Sequence, residues 1–229
     1  MNRPGQKNRV SFFFIAGVLM FVSEIWKQFT INCMPGLSGG DGYRIWYLPF
    51  QLCSTPMYVC LLLFGKGKQK DACLTYLSTY GLLAGIMAFF DTGGFTELAY
   101  LPLSVHSYVW HGLLILLGIT AFMELPVKER DFLGASVFFL GFLLVAEILN
   151  ISLTPKGSIN MFYINPLVPM RQKYFSDIAA YLTGTERAGD IPGGNLLAIL
   201  VYVASIFTGA CTLDILELVF SQKMRNKEG

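Results

Sequence analysis

The chain has 229 residues, of which 54% are apolar and 14% charged, with a formal net charge of +2. Soluble domains carry about 25% charged residues, so this composition excludes a chain that must cover itself in water and suits one that faces lipid. The small net charge and the lack of a basic stripe exclude a nucleic-acid partner.

A helix needs about 20 apolar residues to cross about 30 Å of hydrocarbon. Six segments qualify, at about 10–31, 47–64, 72–90, 106–123, 132–151 and 194–219. The expected fold is therefore all-α: a polytopic membrane protein in one domain, a single bundle of about six transmembrane helices. The first run resembles a signal peptide in position, but it is full-length, carries Glu24 and Lys27 and lacks a small-x-small cleavage site. It is read as a retained helix. The loops CMPGLSGGDG, GKGKQK, DTGGFTE and ELPVKERD punctuate the runs with Gly, Pro and charge. The fifth connection, 152–193, is the longest, and its FSDIAAYLTG stretch reads as a short interfacial helix. Cys33, Cys53, Cys60, Cys73 and Cys211 show no CxxC spacing, and no disulfide framework is expected.

With six spans both termini share a side. That side collects Arg3, Lys7, Arg9, Lys66, Lys68, Lys70, Lys128, Arg130, Lys223, Arg225 and Lys227, against Arg44, Lys156, Arg171, Lys173 and Arg187 opposite. The excess places both termini in the cytoplasm.

Polar groups in the hydrocarbon are costly, so their depth is informative. Cys53 lies about six residues into the second span and His111 about five into the fourth, roughly 8–9 Å inside the same boundary at 1.5 Å per residue. Glu147 and Asn150, spaced i,i+3 on the fifth span, reach the same half, as do Glu24 and Gln51. Such a layer is either helix–helix hydrogen bonding or the wall of an internal cavity, and its convergence from four spans favours the cavity. A thiol and an imidazole also make a chemical pair, the base releasing a thiolate nucleophile. His106 and His111, at i,i+5, do not match HExxH, and two histidines are too few for a zinc site, so no metal and no cofactor are expected. Trp46, Tyr47, Tyr100 and Tyr108 read as an interfacial belt.

The segment YLPFQLC, at 47–53, resembles the YwaF-like integral membrane family, which has a eukaryotic branch of transmembrane phospholipid acyltransferases. Leu48, Pro49, Phe50, Gln51, Leu52 and Cys53 match the family stretch at the head of its second span, with Gln51 where many bacterial members have His. His111-Gly112 matches a His-Gly pair early in the fourth span, and INMFYINP at 159–166 echoes an Asn/Met/aromatic stretch after the fifth. The resemblance implies that Cys53 carries an acyl group as a thioester and His111 acts as base. Gln51 or Asn150 would donate to the oxyanion, and Glu24, His106, Glu147 and Asn160 would line the cavity.

The function expected is a membrane-embedded phospholipid acyltransferase whose substrates are membrane lipids. The alternative is a small-molecule transporter, or its substrate-binding membrane subunit, with the long loop as a lid. A purely structural membrane protein, in which the polar layer is packing, is the third reading. The expected location is a bacterial inner membrane, or the endoplasmic reticulum for a eukaryotic source.

Overall fold

The computed structural model describes residues 6–34, 45–63, 67–90, 93–96, 100–170, 172–184 and 194–228. In chain order the helices are α1 (Gln6–Cys33), α2 (Thr55–Leu62), α3 (Lys68–Tyr76), α4 (Leu82–Ala88), α5 (Gly93–Thr96), α6 (Leu101–Glu124), α7 (Phe132–Leu153), α8 (Lys173–Thr183) and α9 (Gly194–Glu228). A π-helical turn, Leu77–Gly81, joins α3 to α4 without a break, and 3-10 turns at Ile45–Tyr47, Leu52–Ser54 and Met161–Tyr163 shape the connections. No strand occurs among the described residues.

Four helical stretches are long and apolar enough to cross a membrane: Ser11–Cys33, Leu101–Glu124, Phe132–Lys156 and Asn195–Lys223. The other two expected spans differ. The 72–90 run is helical, but the π turn interrupts its α register. Among the described residues of the 47–64 run the continuous helical stretch is Leu52–Leu62, a rise of about 16 Å. Proline is the cause: Pro49 lacks an N–H and keeps the preceding residue extended, and α2 starts only where Pro56 sits in its first turn. The short helix read within 152–193 is present as α8.

Side-chain placement is that of a bundle in lipid. Along α7, Leu133, Val137, Leu140, Leu144, Ile148 and Ile151 form one exposed apolar stripe at helical spacing, while Ala135, Ser136, Phe139, Ala146 and Asn150 face inward. Small residues mark the closest helix contacts, as is usual where packing rather than hydrophobic exclusion holds helices together. A Cβ on Gly17 of α1 would meet Cys60 Cβ of α2 at 2.7 Å, and one on Gly118 of α6 would meet Leu82 Cβ at 2.7 Å. The protein is an integral membrane protein by these features.

Two polar clusters mark the ends of the bundle. At one end Arg130, its side chain 4% exposed, pairs with Asp214 at 2.8 Å and with Glu217, both on α9, and donates to Ser78 of the π turn at 3.3 Å. Asp131 caps α7 by accepting from Gly134 N at 2.8 Å, and its own N–H donates to Thr75 Oγ1. At the opposite end asparagines organise the chain after α7. Asn150 donates to Met161 O (3.2 Å) and accepts from Met161 N (2.7 Å), while Asn195 at the head of α9 accepts from Met170 N and donates to Val168 O.

Candidate functional site

Between the asparagine-rich end and the helices lies a cavity of about 540 Å³, and both Cys53 and His111 line it. Cys53 comes from the 3-10 turn Leu52–Ser54 that leads into α2, and His111 lies about three turns into α6. The polar part of the wall adds Gln51, Ser107, Gln172, Tyr163, Tyr202 and Ser205. Leu83, Ala84, Met87 and Ile206 supply an apolar side. No Asp, Glu, Lys or Arg is among the described lining residues. The described wall is therefore mixed, with hydroxyl, amide and imidazole groups facing an apolar side.

The imidazole is held in one orientation. His111 Nδ1 lies 2.8 Å from Ser107 O, one turn back on α6. A carbonyl only accepts, so Nδ1 carries the proton and Nε2 keeps its lone pair in the neutral ring. The ring of Phe95, itself buried, stacks on the imidazole with centroids 4.6 Å apart and planes at 21°.

Backbone contacts hold the cysteine turn. Ser54 N donates to Gln51 O at 2.8 Å, and Thr55 Oγ1 donates to Leu52 O at 2.7 Å. Gln51 Nε2 donates to Asn160 O at 3.0 Å, and Trp110 Nε1 donates to Cys53 O at 3.0 Å. The turn is thereby tied to the loop after α7 and to α6.

Of the residues singled out from the sequence, Cys53, His111 and Gln51 meet at this cavity, and five do not line it. Glu24, 3% exposed, sits on α1 in a salt bridge with Lys27 (2.8 Å), accepts from Gln28 (2.6 Å), and lines a separate groove with Pro49 and Tyr58. His106 lies between Trp26 and Trp110, with ring centroids at 5.7 and 5.5 Å, and its Nε2 is buried without a hydrogen-bond partner. Asn150 spends both ends of its amide on Met161. Asn160 is fully buried and accepts from Asn165 N, while its Nδ2 is unpartnered. Glu147 is half-buried on α7, with Oε2 unpartnered.

Sequence reading missed Tyr163, Tyr202, Ser205 and Phe95. A signal existed for Tyr202 and Ser205, which stand at i,i+3 in the last span. Tyr163 lies inside the INMFYINP stretch singled out above, but its place at the wall depends on an unusual backbone: Phe162 and Tyr163 both have positive φ, 54° and 56°, a conformation that bulky side chains disfavour.

Residues 2–186 match the TMEM164 family. No curated protein and no solved structure matches the chain. The match supports kinship with a transmembrane family and leaves the link to the YwaF-like group resting on the LPFQLC and His-Gly motifs.

Proposed function

Starting from the fact that the chain belongs to the TMEM164 family, we propose that it is a membrane-embedded phospholipid acyltransferase working through an acyl-Cys53 thioester. One observation carries the reading: a thiol and an imidazole from separate elements line the same partly apolar cavity.

In the proposed cycle, His111 Nε2 takes the thiol proton and Cys53 Sγ attacks the carbonyl carbon of a phospholipid ester. The tetrahedral oxyanion collapses by breaking the ester C–O bond. The imidazolium returns its proton to the departing oxygen, which leaves as a lyso-lipid hydroxyl. A second lyso-lipid then enters, and its hydroxyl gives a proton to Nε2 and attacks the thioester carbonyl. The C–S bond breaks, and the thiolate recovers the proton from the imidazolium. Gln51 Nε2 gives one of its two N–H donors to Asn160 O, which holds the turn, and the other serves the oxyanion in this scheme.

The finer placement belongs to the same proposal. Six segments would cross the bilayer, with the α3–α4 rod and the shorter α2 completing the four long spans, and both termini cytoplasmic by charge. The family is eukaryotic, which favours the endoplasmic-reticulum membrane over a bacterial one.

The test uses the purified chain, with and without Cys53→Ala, in vesicles of acyl-labelled phospholipid and unlabelled lyso-lipid. The expected result is a hydroxylamine-labile label on the wild-type protein and labelled product lipid, both absent from Cys53→Ala. Equal turnover by both proteins would overturn the reading. Intact lipid retained with no protein label would favour the carrier alternative.

A further inference from the structure

Trp110 stands next to His111 in sequence, yet its side chain leaves the helix in another direction. Its indole is 6% exposed, and Nε1 donates to the carbonyl of Cys53 at 3.0 Å. The two residues of the proposed reaction are thus connected by a path of two covalent neighbours and one hydrogen bond: His111, Trp110, Cys53. This matters because the cysteine sits at a helix start and not within a long helix. It lies in the 3-10 turn Leu52–Ser54 that leads into α2, held locally by the bonds from Ser54 N to Gln51 O and from Thr55 Oγ1 to Leu52 O. The residues before it, Leu48 to Gln51, form no regular helix. The indole also meets the His106 ring at a tilt, with centroids 5.5 Å apart, and His106 in turn lies 5.7 Å from Trp26 of α1. A run of aromatic contacts therefore links α1 through α6 to the carbonyl of the cysteine.

We propose that Trp110 is a positioning residue, a strut that sets the separation and facing of Cys53 and His111. The inference rests on the acyl-transfer reading for its kinetic consequence, but not for its geometric one. A displacement of about 1 Å between reacting groups costs about a hundredfold in rate, so a strut of this kind acts on the chemical step and not on lipid binding. Trp110 itself is absent from the cavity lining, which is why its removal leaves the lipid contacts intact.

Two replacements separate the N–H from the ring. Trp110→Phe removes both the donor and the second ring, whereas a benzothienyl analogue of Trp at 110 keeps the shape and loses only the donor. In the vesicle assay both are expected to lower kcat about 10- to 100-fold with KM changed less than about twofold. The independent measurement is bridging of Cys53 to the side chain introduced by His111→Cys. Thiol cross-linkers of graded span are applied to the full chain, and the bridged peptide is identified by mass. With Trp110 in place the shortest linkers should dominate. With the analogue the yield should fall at least fivefold and spread to longer linkers. An indole that merely satisfied a buried carbonyl would lower the melting temperature in detergent while leaving the linker profile unchanged, and that outcome overturns the proposal. A wild-type protein that transfers no acyl group, yet whose linker profile shifts with the analogue, overturns the acyltransferase reading and leaves the strut standing.

Discussion

His111 is gripped on two sides, by the Ser107 carbonyl and by the face of Phe95. The first contact fixes the tautomer and the second the ring plane. Phe95→Ala removes the stacking partner and leaves space beside the imidazole. It should reduce acyl transfer about tenfold by loosening the base, measured as kcat in vesicles, with His111 present and the protein still folded by melting in detergent. Asn150 makes the opposite kind of residue, polar and buried but spent on structure. Asn150→Leu strands the N–H of Met161 and takes one of two donors from its carbonyl, which Ile164 N still meets at 3.3 Å, and should cost about 1–3 kcal/mol of stability, read from detergent or denaturant unfolding. That Cys53 and His111 would border one cavity was legible in the sequence, because two residues counted to equal depth on separate apolar runs lie in one layer. The sequence did not distinguish Asn150 from a cavity residue, because a buried asparagine looks the same in sequence whether it meets a ligand or a loop.

Among the elements, the Arg130 cluster shows how charge is managed inside the bundle. Counting charges assigned Arg130 to a loop as a topology marker, but the side chain turns inward and joins Asp214 and Glu217 of α9 to Ser78 of the π turn. The π register itself is supported by Thr75 O, which accepts from both Ser78 Oγ (3.2 Å) and Thr79 Oγ1 (2.6 Å). Arg130→Leu leaves two carboxylates buried without their partner and should destabilise the protein by about 3–5 kcal/mol. The triple replacement of Arg130, Asp214 and Glu217 by Leu should restore most of that loss, since removing a whole buried ion cluster is often close to neutral. Melting of both variants in one detergent checks the pair. Four spans were legible as elements because their apolar runs are long and uninterrupted. The second was not, because hydropathy counts Pro49 and Pro56 as tolerable residues while the backbone cannot use them.

At the scale of the whole molecule, the exposed apolar stripes and the small residues buried between helices declare a protein dissolved in lipid. That much follows from composition, since 14% charge cannot coat a soluble surface. What composition does not contain is the shape of the second apolar run, whose helix Leu52–Leu62 is only about half as long as the hydrocarbon is deep. The backbone of 45–51 finds its partners inside the protein: Leu48 N donates to Ile45 O, Phe50 N to Leu48 O, Tyr58 OH to Pro49 O and Ser54 N to Gln51 O. Irregular backbone satisfied in this way can stand beside a cavity without offering bare amides to acyl tails. On the acyl-transfer reading, the break in the helix is what frees the sulfur: a cysteine at the mouth of a short helix faces an open cavity, where one in mid-helix would be walled in by the turns on either side.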